Sequence, residues 1–166
     1  MDLESLALAV DERVRVPAAE RNMGRLYAVR SAPDPDDGDD DPAGGGPGAR
    51  VVLELVAEGE ARTLPQTFRP PAGLRAVALA SGVWAAPLDE RGPSPSRHPE
   101  RRRAHLTVIV GAEGLRDGVD VSVLRYGDGE PTVLRGGAGL IHQRLLRCWS
   151  RRPDASWATR RTDRAA

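Results

Sequence analysis

The segment HLTVIVGAEGLRDGVDVSVLRYGDGEPTVLRG, residues 105–136, limits the possible folds more than any other part of the chain. Three runs with strand character, HLTVIVG, VDVSVLRYGDG and PTVLRG, follow one another with only short turns at Glu113–Gly118 and Gly127–Glu130. Parallel neighbours need a crossover of a dozen or more residues, so links this short dictate antiparallel pairing. Upstream, LRAVALASGVWAAP (Leu74–Pro87) alternates Val77 and Leu79 with small residues and reads as another strand. GRLYAVR (Gly24–Arg30) reads as a short strand, and VVLELVAEGEARTL as a hairpin turning near Glu58-Gly59.

A helical pattern brackets this β-rich middle. Leu3, Leu6, Ala7, Val10 and Val14 recur at helical spacing over residues 2–15, with Asp2 and Glu4 where the helix dipole favours negative charge. Pro17 ends that helix by excluding Val16 from helical backbone. GLIHQRLLRCWSR forms the second, with Ile141, Leu145 and Cys148 on one stripe and His142, Leu146 and Trp149 beside it. The expected class is therefore α+β: an antiparallel sheet of five or six strands with an N-terminal and a C-terminal helix packed on it. The most economical version places both helices on one face. Residues 1–150 form one domain, interrupted at 31–49 by SAPDPDDGDDDPAGGGPGA, which has no large apolar residue to offset its ordering entropy. Residues 151–166 read as a basic tail expected to be disordered.

Composition excludes several function classes. The chain has 24 basic residues, all arginine, against 24 acids, and its heavy use of Ala, Gly, Pro and Arg suggests a GC-rich bacterial genome. Arginine clusters therefore carry less weight here than elsewhere. The neutral total hides a gradient: residues 1–63 hold 14 acids and 7 arginines, residues 64–143 hold 8 and 10, and residues 144–166 hold 2 and 7. Cys148 is the single cysteine, so no internal disulfide forms, and it falls on the apolar side of its helix as inert packing. No apolar run approaches the ~18 residues of a membrane span, and MDLESLALAVDERV lacks the basic start of a secretory signal. The expected location is the cytoplasm.

The strongest site candidate is the stretch between Trp84 and His105, WAAPLDERGPSPSRHPERRRA, a loop long enough to be functional or disordered. Arg97, His98, Arg101, Arg102, Arg103 and His105 are the expected binders of an acidic partner or a phosphorylated ligand. Guanidinium groups contact carboxylate and phosphate in bidentate fashion, and histidine titrates near neutrality. A solvated loop whose arginines pair with Asp89, Glu100 and the acidic linker accounts for the same residues. Two histidines without a clear third ligand do not define a metal site, and DPDDGDDD lacks the spacing of a calcium loop. GGAGL (Gly136–Leu140) has His142 where a dinucleotide-binding loop needs its third glycine, and reads as a turn into the helix.

No serine-nucleophile motif is present and no cofactor is implied. The expectation is a non-catalytic binding or regulatory module. One alternative is a small hydrolase or transferase using His98 or His105 as base with Asp89 or Glu90. Another is nucleic-acid binding through the basic C-terminus, with Trp157 stacking between arginine pairs. A third is a homodimer that pairs a sheet edge or buries Trp149 at its interface.

Overall fold

The computed structural model describes residues 2–15, 22–32, 50–87, 94–113, 116–137 and 139–154. The acidic run Asp34–Asp41, the loop acids Asp89 and Glu90, and Trp157 lie outside the described residues.

Helix α1 spans Leu3–Arg13, and the Asp2 carboxylate caps it by accepting from the Ser5 amide at 2.8 Å. Strands β1 (Met23–Ala32) and β2 (Arg50–Glu60) pair antiparallel along their whole length. A short helix α2 (Leu64–Thr67) leads to β3 (Ala76–Ala85), β4 (Arg102–Glu113), β5 (Arg116–Arg125) and β6 (Thr132–Arg135), and helix α3 (Leu140–Trp149) closes the domain. The six strands form one antiparallel sheet in the order β2-β1-β3-β4-β5-β6. Among the described residues no helix is long and apolar enough to cross a membrane.

The expected single-faced packing is not what forms. On one face Ala76, Ala78 and Ala80 of β3 lie with Val29, Ile109, Val121 and Val123 beneath Leu3, Leu6, Ala7 and Val10 of α1. On the other, Val77, Leu79, Val108, Val110, Leu26 and Ala28 lie beneath Leu145 and Trp149 of α3, with Leu64 of α2. Side chains alternate across a strand, so the unbroken run Val108-Ile109-Val110 is apolar on both sides and needs a cover on each. The alanines of β3 keep that strand low, which lets α1 settle close to the sheet.

Two further corrections concern strand limits. The hairpin expected at Glu58-Gly59 is a single strand, because Gly59 pairs with Gly24 and the chain turns only beyond Glu60, whose carbonyl accepts from the Thr63 amide at 2.9 Å. Gly24 is required there, since a Cβ would sit 2.8 Å from the Cα of Ala61. The loop expected over 85–104 is also shorter: Arg102 and Arg103 already belong to β4, paired with Ala85 and Trp84. Trp149 is 2 % exposed and packed within the chain, which leaves it no role at an interface.

A candidate anion-binding end of the sheet

At one end the two central strands outrun their neighbours. β1 pairs with β3 only as far as Gly24–Ser81, and β5 pairs with β4 only as far as Arg125–His105. Beyond those points Gly82–Ala85 and Arg102–Ala104 continue as a two-stranded ribbon. Direct pairing across an antiparallel ladder puts opposed side chains on the same face, so register alone brings Arg103 beside Trp84. The Arg103 guanidinium stands 4.8 Å from the Trp84 ring centroid, and that of Arg101 stands 5.1 Å from it. Both are within the range of a cation–π contact. The half-buried ring thus positions two guanidinium groups.

Two clefts flank this ribbon. The wider, about 700 Å³, is lined by Ala85, Ala86, Pro87, Glu100, Arg101, Arg102 and the exposed Tyr126. The narrower, about 290 Å³, is lined by Asn22, Arg62, Gly82, Val83, Trp84, Ser96 and Arg103. Among the described residues their walls carry Arg62, Arg101, Arg102 and Arg103 together with the carboxylate of Glu100.

The residues expected from sequence separate in the structure. Arg101, Arg102 and Arg103 come together at the clefts, whereas Arg97 ends a short 3-10 turn (Pro95–Arg97) and is exposed. His98 is half-buried, and its Nδ1 accepts from the Glu100 amide at 3.1 Å, which ties it to its own loop. His105 points inward. Its Nε2 lies 3.2 Å from Asp11 Oδ1 and 3.0 Å from Thr107 Oγ1. Asp11, on α1, is fully buried; its Oδ1 accepts from the Thr107 hydroxyl at 2.9 Å. Its Oδ2 accepts from Nε and Nη2 of Arg125 at 2.9 and 2.8 Å. Arg125 in turn donates to the Gly129 carbonyl at 3.0 Å. Burial alone would raise the Asp11 carboxyl, but hydrogen bonds from His105, Arg125 and Thr107 outweigh it and hold the group below the ordinary carboxylate range. This network ties α1 to β4 and β5 just beneath the ribbon.

A second polar cluster lies under α3. Ser122 and His142 Nε2 are 2.5 Å apart, and Asp120 accepts from the Gly137 amide at 2.7 Å. His142 Nδ1 is buried and has no partner among the described residues. Burial lowers the imidazole below its ordinary value, opposed by the nearby Asp120. GGAGL therefore acts as a turn fitted around His142: a Cβ at Gly137 would fall 2.1 Å from the His142 ring. Burial pushes the Cys148 thiol up, away from the reactive thiolate.

Among the described C-terminal arginines, Arg144, Arg151 and Arg152 are committed to the fold. Arg151 donates to the carbonyls of Gln66 and Phe68 at 3.1 and 2.9 Å, and Arg144 donates to that of Arg62. Arg152 is 6 % exposed, pairs with Asp117 and Asp154, and stacks 3.3 Å from the Trp149 centroid. Of the basic tail expected over 151–166, residues 151–154 are thus docked, and 155–166 lie outside the described residues. Among the described residues no group of three or more His, Cys, Asp or Glu side chains is arranged to hold a metal ion.

Comparison with protein-family models, with curated proteins and with solved structures found no match.

Sequence reading missed four members of the candidate site: Trp84, Tyr126, Arg62 and Asn22. Trp84 had a usable signal, since pairing LRAVALASGVWAAP with RRRAHLTVIVG as a hairpin sets it opposite an arginine. Asn22 and Arg62 enter through the geometry of neighbouring strands, for which the local sequence holds no sign.

Proposed function

We propose that this protein is a non-catalytic binding module whose arginine–tryptophan end takes up the anionic group of a ligand or an acidic protein partner. The observation that carries this reading is the placement of Arg101 and Arg103 over one tryptophan between two clefts whose described walls also carry Arg62 and Arg102. An aromatic ring that stacks guanidinium groups holds them in place before a ligand arrives, which reduces the entropy lost on binding. Neither cleft is lined by a histidine, which favours binding over general-base chemistry.

Thermal melting tests the reading. Nucleotides, phosphorylated metabolites, acidic peptides, short DNA and RNA, and divalent metals are compared at low and moderate salt. A bound anion at a hundred times its Kd adds about 2.7 kcal/mol, a rise of several degrees. Arg101→Ala with Arg103→Ala removes that rise. No shift with any anion class would refute the reading.

A further inference from the structure

The link from β6 into α3 is fastened to β5 around one imidazole. Gly136, with φ 70°, turns the chain out of β6, and its amide donates to the Asp120 carbonyl at 3.3 Å. The next amide, that of Gly137, donates to the Asp120 carboxylate at 2.7 Å. His142, in the first turn of α3, packs directly against this link. A Cβ on Gly137 would collide with its Cδ2 and Nε2, and one on Gly139 would stand 3.2 Å from its Nδ1. Nε2 is hydrogen-bonded to Ser122 Oγ, whereas Nδ1 is buried and has no partner among the described residues. These contacts suit a neutral ring that keeps its proton on Nε2 and donates it to Ser122. A protonated ring carries a second N–H, at Nδ1, together with a charge, and burying both without an acceptor is costly.

The neighbours of the ring leave one source of countercharge. From β5 it is faced by Ser122 and Asp120, while Asp117 is taken by the Trp149 indole and by Arg152. From β4 the residues beneath α3 are Val108 and Val110, and from β6 Leu134 shares the face of Ser122, with which it pairs. On α3 itself Arg144 donates to the Arg62 carbonyl. We propose that His142 is a pH-operated latch, whose protonation frees Gly137 from Asp120 and lifts the start of α3 off β5. Releasing Gly137 lets water reach Nδ1 and turns the Asp120 carboxylate toward the imidazolium, so a charge-assisted bond to an amide is exchanged for one to a cation. The neutral ring gains nothing from that exchange, and the latch stays shut near neutrality. Because burial depresses the imidazole, it opens below the ordinary histidine value of ~6.5.

The test follows the full chain by NMR from about pH 7.5 to about pH 5, a range that brackets the ordinary histidine value. The imidazole signals of His142 and the amide signal of Gly137 are recorded together. The Gly137 proton starts downfield, as a carboxylate-bonded amide does, and moves upfield with the same midpoint as His142. Its protection against hydrogen exchange falls at least ~tenfold across that transition, while amides of β3 keep theirs. His142→Gln holds the Gly137 signal fixed over the range, and Asp120→Asn moves the His142 midpoint to lower pH. If His142 titrates while Gly137 keeps its shift and its protection, the latch is overturned. If Gly137 and β3 lose protection together, the ring reports only global unfolding and the latch is equally overturned. A folded protein whose His142 stays neutral down to about pH 5 has the same consequence.

Discussion

Asp11→Asn removes one charge from the centre of the fold and keeps its shape. The carboxylate is fully buried and accepts from Thr107, His105 and twice from Arg125, which is itself 7 % exposed. Substitution leaves the Arg125 guanidinium buried with the Gly129 carbonyl as its remaining acceptor and turns an amide donor toward other donors. Breaking a buried ion pair from one side costs about 3–5 kcal/mol. Because the asparagine oxygen still accepts one bond, the expected loss is near the low end, ~3 kcal/mol. For a chain of this size that lowers the melting temperature by about 6–12 °C. Urea denaturation monitored by circular dichroism measures it directly. The double variant Asp11→Leu with Arg125→Met should recover much of the loss, because an apolar pair of similar bulk needs no desolvated charge. The acid limb gives a second readout. The folded carboxyl lies below its unfolded value of ~3.9, so its contribution is present above about pH 4 and is lost as pH falls further. The Asp11→Asn variant should show a shallower decline there. A loss under about 1 kcal/mol for Asp11→Asn would refute the idea that this network holds α1 to the sheet.

Gly137→Ala should cost about 1–3 kcal/mol, because its Cβ would fall 2.1 Å from the His142 ring, and adding His142→Ala should restore part of that stability in thermal melts. His142 is held neutral by burial, so the unfolded chain takes up its proton first, near pH 6.5, and stability should fall as pH drops below that value. Urea midpoints compared at pH 7.5 and 5.5 should differ more in the wild type than in His142→Gln. Trp84→Ala should abolish anion binding measured by calorimetry, because Arg101 and Arg103 lose the ring that positions them. Its cost in stability should be small, since the ring lies on the projecting ribbon.

Much of the architecture was readable because alternation and short turns are local signals. Strands β3 to β6 and both long helices fall where the sequence placed them, within a few residues at the ends. What failed depended on partners remote in sequence. The run Val108-Ile109-Val110 is apolar on both faces, yet the sequence reading placed both helices on one, and nothing local says which helix covers which. Glu58-Gly59 resembles a turn until Gly24 is found opposite Gly59. The arginine run was visible as charge, yet its division between the two clefts depends on strand register against Trp84 and Ala85. Asp11 completes the helical spacing of Leu3 and Ala7, so an acid within an apolar stripe was a legible sign of a buried partner. That partner, Arg125, lies 114 residues away.

The central claim is that the arginine–tryptophan end binds an acidic partner, and Trp84 can report it. The fluorescence difference between wild type and Trp84→Phe isolates this half-buried ring from Trp149, which is enclosed in the core. Titration with an acetylated, amidated hexapeptide of alternating Glu and Thr should give a saturating change in that difference signal. The apparent affinity should fall between 50 and 200 mM salt, values on the order of physiological ionic strength, and the change should vanish in Arg101→Ala with Arg103→Ala. A flat titration at low salt, with the protein folded, would contradict the account.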